Sequence, residues 1–158
     1  MEGRPALPPG WMWARLKDVA AINPRVTAQD DATVGFVPMA CVPTDYRSPV
    51  QFESRTWGSI KSGYTHMADG DVAVAKITPC FQNAKSCILA GLPGGVGAGT
   101  TELVVFRVDT ELVVDKFLLV FFKSPEFLLA GVATMTGTAG QQPGLNHLPR
   151  RVVHHHLA

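Results

Sequence analysis

The sequence predicts an α+β fold, in which a twisted, mostly antiparallel sheet is followed by a C-terminal pair of helices. Three apolar runs of strand-like composition lie close together between residues 72 and 108. The last of them, Thr101–Val108, is apolar at both odd and even positions, which is typical of a central strand buried on both faces. After Asp109 the apolar spacing becomes that of a helix. Strands followed by helices, rather than alternating with them, favour the α+β class.

The length and composition are those of one folded domain, or at most of two small ones. The chain has 158 residues, of which 46% are hydrophobic and 17% charged, so a sizeable core is expected and disorder is not. With 14 basic and 13 acidic residues the net charge is +1, which excludes a polybasic tail but not a local basic face. Cys41, Cys80 and Cys87 have no metal-ligand spacing, so we expect reduced cysteines, a cytoplasmic protein and no metal site. A signal peptide is not expected, because the first residues contain no apolar h-region. A membrane span is not expected either, because the longest apolar run, Phe117–Phe122, is short.

The first half is predicted to consist of short elements separated by polar loops. Trp11–Val19 carries two tryptophans and can anchor a short strand or helix on the body of the domain. Val34–Val42 is a predicted strand with an edge or bulge at Pro38. Trp57–Tyr64 is a predicted helical turn. The segments between these elements, 23–33 and 43–56, are predicted loops.

The middle of the chain is predicted to form a hairpin. Its strands are Val72–Ile77 and Lys85–Ala90, joined by a loop over residues 78–84. A glycine-rich connection, Gly91–Gly99, then leads to the strand Thr101–Val108. A phosphate-binding loop is excluded there, because no lysine precedes Thr100 and the segment opens a strand instead of a helix. Two alternatives stay open: a flexible loop, or a loop whose glycines let the backbone approach a nucleic-acid phosphate.

Two helices follow. Asp115 is the predicted cap of a helix over Lys116–Lys123. Ser124, Pro125 and Glu126 then provide a cap, a first-turn proline and a first-turn acid for a second helix, which is predicted to end at about Met135. Residues 136–144 are small and polar, so they are predicted to form a loop.

The loop of the predicted hairpin has the residues of a recognition element. Lys76 and Lys85 flank it and suit phosphates, whereas Gln82 and Asn83 can pair with the edge of an adenine. Phe81 would either contact a thymine methyl group or pack in the core, and the second alternative makes this an ordinary polar hairpin. Thr78-Pro79-Cys80-Phe81 is only faintly similar to the N-P-P-F motif of adenine methyltransferases, and no methyl-donor motif accompanies it. Catalysis is therefore not expected.

A second polar segment precedes the hairpin. Trp57, Lys61 and Tyr64 combine aromatic rings with a cation and suit a wet, positively biased surface, whereas His66 is expected to be structural. No serine, cysteine or histidine lies in a local signature of a hydrolase.

Taken together and in order, these motifs resemble the target recognition domain of the specificity subunits of type I restriction-modification enzymes. The resemblance covers residues 7–142, and its most specific block runs from Gly63 to Lys85. The other matching motifs are Leu7-Pro8-Pro9-Gly10-Trp11, Arg15-Leu16-Lys17-Asp18-Val19, Phe36-Val37-Pro38-Met39-Ala40, Gly97-Ala98-Gly99-Thr100-Thr101-Glu102 and Gly137-Thr138-Ala139-Gly140-Gln141-Gln142.

The resemblance implies a domain without catalytic activity that reads one half of a split double-stranded DNA site. Methyltransferase subunits with S-adenosylmethionine and a motor-nuclease subunit with ATP would be its partners, so no cofactor is expected in this chain. The alternative is a scaffold that docks a methyltransferase without reading sequence. The residues expected to contact DNA are Arg47, Arg55, Lys61, Tyr64, Lys76, Thr78, Gln82, Asn83, Lys85, Thr100, Thr101, Gln141 and Gln142.

The resemblance also suggests the domain boundaries. Residues 7–142 are predicted to form a single recognition domain, with 1–6 as a lead-in and 143–158 as an irregular tail. In the family a long spacer helix usually follows, whereas the segment from Pro143 to His154 has no helical period. Whether the chain is a first or a second recognition domain, a truncated gene product or a half-subunit stays open.

Overall fold

The structure is a computed structural model and describes residues 6–134 and 152–155. Fourteen helices and strands lie in these residues, together with 3-10 turns at Met39–Cys41 and Pro93–Gly95. In chain order they are β1 Trp11–Ala14, α1 Leu16–Val19, β2 Ala20–Ile22, β3 Thr33–Val37, β4 Glu53–Thr56, α2 Trp57–Ile60, β5 Thr65–Ala68, β6 Val72–Ala75, β7 Ser86–Ile88, β8 Val96–Gly99, β9 Leu103–Val108, α3 Asp115–Phe122, α4 Pro125–Thr134 and β10 Val152–His155.

The predicted α+β class is confirmed, but the described strands form more than one sheet. Strands β2-β9-β6-β7 form an antiparallel sheet that we call the helix-backed sheet. Strands β4-β3-β8-β5 form the second sheet, in which β3 and β8 run parallel and the other neighbours antiparallel. Strand β1 pairs separately with β10. The described strands thus form several sheets where the sequence suggested one, because β3 and β5 both pair with β8 instead of joining the hairpin.

The two faces of the helix-backed sheet belong to two different cores. Val74, Val104 and Phe106 pack in a cluster with Leu118, Phe122 and other residues of α3 and α4. On the opposite face, Ala73 and Val105 pack in a second cluster with residues of the second sheet, among them Val37 and Met67. This arrangement confirms that β9, the strand predicted to be buried on both sides, is central, since it lies between β2 and β6.

Helix α4 begins as predicted, whereas helix α3 does not. The Ser124 hydroxyl accepts a hydrogen bond from the Phe127 amide at 3.2 Å, which confirms the predicted cap of α4. Asp115 is not the cap of α3 but its first residue, and its carboxylate accepts from the neighbouring Lys116 amide at 2.7 Å. The helix therefore begins one residue earlier than expected, with Val114 at the cap position.

Short strands replace parts of three predicted irregular segments. Strand β4 occupies the end of the predicted loop 43–56, and β8 occupies the end of the predicted connection Gly91–Gly99. The tail was expected to be irregular over 143–158, but Val152–His155 pair with β1. Each of these strands is specified by a partner far away in sequence, as when β8 pairs with β3. None of the helices in the described part of the chain is long and apolar enough to cross a membrane.

Candidate nucleic-acid interface

Several loops from both sheets lie at one end of the domain, which we call the loop end. It comprises the segments 38–52, 76–85 and 100–102, together with Tyr64 where the chain enters β5. The Thr100 amide donates to the Val37 carbonyl at 3.3 Å, and the Lys76 amide donates to the Glu102 carbonyl at 2.9 Å. These bonds join the ends of β3, β6 and β8, so segments far apart in sequence form one continuous surface.

Most of the residues expected to contact DNA lie at the loop end, and two do not. Arg55 is in the middle of the β3–β4 pair, opposite Val34, and Lys61 follows α2. Gln141 and Gln142 lie outside the described residues. The residues that the loop end brings together are Arg47, Tyr64, Lys76, Thr78, Gln82, Asn83, Lys85, Thr100 and Thr101.

The segment 76–85 is a compact turn with its amide side chains in solvent. The Phe81 amide donates to the Ile77 carbonyl at 2.7 Å, and the Asn83 amide donates to the Pro79 carbonyl at 3.0 Å. This curl leaves Gln82 and Asn83 exposed. It turns Phe81 inward, where only 1% of the residue is exposed. Contact between Phe81 and a thymine methyl group is therefore excluded, and Phe81 packs in the core.

The two lysines that flank this turn have different surroundings. Lys85 is half-buried, and its Nζ donates to the Met39 carbonyl at 3.0 Å, so it joins the turn to the segment after β3. An ammonium group has three donors, and the bond to Met39 engages one of them. Lys76 is also half-buried, beside the exposed Thr101 and Glu102.

The segment 43–52 forms a second turn at the loop end. The Asp45 carboxylate accepts from the amides of Arg47 and Ser48 at 2.7 and 2.6 Å, and from the Ser48 hydroxyl at 2.6 Å. These bonds, that with the Ser48 hydroxyl first, lower the pKa of Asp45 to about 2. Asp45 thus stays ionised at neutral pH and fixes a turn in which Tyr46 and Arg47 are exposed.

Arg55 and Lys61 are partly neutralised by neighbouring carboxylates. Arg55 pairs with Glu53, and Lys61 Nζ lies 2.9 Å from an Asp30 oxygen. Arg55 also stacks 5.2 Å from the centre of the Phe36 ring, which in turn contacts Tyr64 edge-on at 4.9 Å. These exposed pairs weaken the attraction of both cations to a phosphate. Arg55 and Lys61 are therefore weaker candidates for phosphate contacts than the lysines of the loop end.

Two features singled out in the sequence have structural roles. The glycine-rich segment lies mostly away from the loop end, since the Leu92 amide donates to Asp69 at 3.0 Å and Val96 pairs with Ala68. Its last four residues are strand β8, so a flexible loop over the whole segment is wrong. His66 is buried, as expected for a structural role: its Nδ1 accepts from the Val26 amide at 3.2 Å, and its Nε2 donates to the Lys61 carbonyl at 2.8 Å.

Sequence reasoning missed one residue beneath the loop end, Lys123 at the end of α3. Only 7% of it is exposed, and its Nζ donates to the carbonyls of Ala84, Ser86 and Thr44 at 2.7, 2.9 and 3.2 Å. Burial lowers the pKa of Lys123, opposed by the nearby Cys87 and Asp45. In the sequence Lys123 is only the last residue of a predicted helix, because its acceptors are main-chain carbonyls with no side-chain signature.

The described residues contain no group of three or more histidine, cysteine or acidic side chains that could hold a metal ion. Burial raises the pKa of the Cys87 thiol to about 12, against a smaller opposing effect of Lys123. A thiol with this pKa is a poor nucleophile at neutral pH.

Two packed sheets, a helix pair on one outer face and a polar, lysine-bearing loop end define an α+β domain built to present loops. Over 137 residues, 86% of the chain, it is 47% identical to the specificity subunit of the type I restriction enzyme EcoAI and 49% identical to that of EcoEI, both from Escherichia coli. The chain is therefore homologous to a segment of type I restriction enzyme specificity subunits, which confirms the resemblance seen in the sequence. It spans 23% of the length of each of these relatives. No protein-family model matches it.

Solved structures share the fold. The crystal structure of the HsdS subunit from Thermoanaerobacter tengcongensis matches 92% of this chain and 37% of its own, with a TM-score of 0.69 and 21% identity. A chain from a study of complex assembly and conformational transition in a type I R-M system matches 95% of this chain and 38% of its own. Its TM-score is 0.72 at 20% identity.

Proposed function

We propose that this chain is a DNA recognition domain that reads one half of a bipartite double-stranded site. It acts as part of a specificity subunit in the cytoplasm and directs methyltransferase and motor-nuclease subunits to that site. The observation that carries the proposal is the 47–49% identity to specificity subunits of type I restriction enzymes. Under this proposal the chain catalyses nothing and binds neither S-adenosylmethionine nor ATP.

The chemistry of the loop end supports the proposal. The exposed amides of Gln82 and Asn83 lie on the outer side of a compact turn, and Gln or Asn can pair bidentately with the edge of an adenine. Lys76 and Lys85 flank the same turn and suit phosphate oxygens. Thr78, Thr100 and Thr101 add hydroxyl groups beside them.

Selection from random-sequence duplexes tests the function. The chain is expected to enrich a short half-site of about 3–5 base pairs and to bind it more weakly as salt rises. Affinity is expected to be modest, because half of a bipartite reader makes few contacts. Absence of enrichment together with absence of salt-dependent binding would contradict the proposal.

Lys76→Ala is expected to weaken binding to selected and scrambled duplexes alike. Loss of one phosphate contact should reduce the slope of log affinity against log salt by about one. Fluorescence anisotropy titrations at several salt concentrations measure this slope. Lys17→Ala is the matched control, because Lys17 is exposed on α1, next to the strand end opposite the loop end, and should leave the slope unchanged.

Gln82→Ala is expected to act differently. Removing one bidentate base contact should relax the preference at one base position by about 1–3 kcal/mol and leave binding to scrambled duplexes nearly unchanged. Repeating the selection with the variant measures this loss position by position. An unchanged preference at every position would remove Gln82 from the recognition surface.

A second function, docking of a methyltransferase without sequence reading, is favoured by exposed apolar side chains on the helix pair. Val120 on α3 is 53% exposed and Leu129 on α4 is 71% exposed, and exposed apolar side chains on neighbouring helices can form a contact surface for a protein partner. This alternative predicts capture of a methyltransferase subunit by a chain that shows no preference among duplexes. The selection experiment separates the two functions.

A further inference from the structure

Lys123 joins two segments of the loop end that are about forty residues apart in sequence. Two of its hydrogen bonds go to Ala84 and Ser86, at the end of the turn 76–85, and the third goes to Thr44, at the start of the turn 44–48. The ring of Tyr46 lies 5.8 Å from the same Nζ. One ammonium group thus contacts both turns and uses all three of its donors to do so.

Burial makes the charge of Lys123 costly, and the three hydrogen bonds to main-chain carbonyls offset that cost. Burial of an ammonium group is unfavourable, and apolar residues of similar size often replace buried charges without loss of stability. The C-terminal end of α3 favours a cation, but such an effect is modest. The ammonium group can donate hydrogen bonds to three carbonyl oxygens in two turns and so fix their distances. An apolar side chain cannot do this.

We infer that Lys123 is a positioning residue that fixes the turns 44–48 and 76–85 relative to each other, so that their side chains can read DNA. The inference rests on the proposed function. The first turn presents Arg47, and the second presents Gln82 and Asn83. Base contacts require placement to within a fraction of an ångström, whereas phosphate contacts tolerate more displacement. Loss of Lys123 should therefore reduce sequence discrimination more than overall DNA affinity.

The test compares Lys123→Met with Leu118→Ala in the full 158-residue chain. Methionine keeps the length of the side chain and removes the charge and the donors. Leu118 is fully buried on the same helix, in a core cluster that also contains Phe81. Its truncation destabilises the fold but removes none of the hydrogen bonds that Lys123 makes to the two turns. Both variants are studied at a temperature at which circular dichroism shows them to be folded.

Two quantities are measured on each variant. Hydrogen exchange reports protection of the amides of Ser48, Ala84, Lys85 and Ser86, which bond within or between the two turns. Titrations give the ratio of affinities for the selected half-site and a scrambled duplex. For Lys123→Met we expect faster exchange in both turns and a ratio lowered about tenfold, the size of one good base contact, with scrambled-duplex affinity nearly unchanged. Leu118→Ala should leave the ratio at the wild-type value.

Each outcome decides the question. Unchanged exchange in the two turns of Lys123→Met would overturn the inference, and so would an affinity ratio equal to that of Leu118→Ala. If the wild-type chain discriminates no sequence at all, the proposed function fails, and with it the role of Lys123 in reading DNA. The exchange data then still show whether Lys123 holds the two turns together.

Discussion

Phe81→Ala is expected to lower the free energy of unfolding by about 3–5 kcal/mol, as for other fully buried phenylalanines. Phe81 is 1% exposed, and its ring centroid lies 5.6 Å from that of Phe127 on α4. The contact with α4 is so close that a Cβ atom on Gly131 would lie 2.1 Å from Phe81 Cζ. Truncation thus leaves a cavity between the turn 76–85 and the helix, and neither the rigid helix nor the sheet can fill it.

Urea denaturation measures this loss as a lower midpoint at an unchanged slope. Gln82→Ala is the matched control, since the neighbouring residue of the same turn is exposed and should stay within about 0.5 kcal/mol of wild type. Phe81→Leu should cost less than Phe81→Ala because it fills part of the volume. If Phe81→Ala destabilises no more than the Gln82 control, the turn is not anchored on α4.

The elements that could be predicted from the sequence are those with local signals. Strand β9 and helix α3 are apolar runs whose spacing alone distinguishes a buried strand from a helix. Helix α4 has a capping serine and a first-turn proline, and its cap forms as predicted. The hairpin of β6 and β7 follows from two apolar runs separated by a short polar loop.

The strands that were missed have no such signals. Strand β5 contains His66, which resembles a polar loop residue in sequence but is buried against Trp57, 4.7 Å between ring centres. Strand β4 is exposed along its whole length and becomes a strand only because β3 lies beside it. Pairings between distant segments decide both cases, and a local pattern cannot contain them.

The candidate site was predicted in part for a similar reason. The turn 76–85 and the residues Thr100 and Thr101 come together because β6, β8 and β9 meet at one end. That Lys61 is paired could not be seen, because its partner Asp30 is 31 residues away. Contact of these residues with DNA stays a prediction.

Gly97 and Gly35 are paired residues on the parallel strands β8 and β3, where the two backbones approach closely. A Cβ atom on Gly97 would lie 2.2 Å from the Gly35 carbonyl oxygen and 3.1 Å from its carbon. Both atoms belong to the backbone of the adjacent central strand, so no rotamer change can relieve the overlap. Only a shift of β3 or β8 could do so, at the expense of the sheet pairing and of the core behind it.

Gly97→Ala is therefore expected to destabilise the domain by about 3 kcal/mol, near the upper end of overpacking effects. Gly91→Ala is the comparison within the same glycine-rich segment. Gly91 has φ of +74° with no atom within 4 Å of the added Cβ, so only the backbone conformation is penalised, by about 1–2 kcal/mol. Urea midpoints of the two variants measure the difference. If residues 91–99 formed a flexible loop, alanine would destabilise the domain less at Gly97 than at Gly91. Strand β8 requires the opposite order of destabilisation.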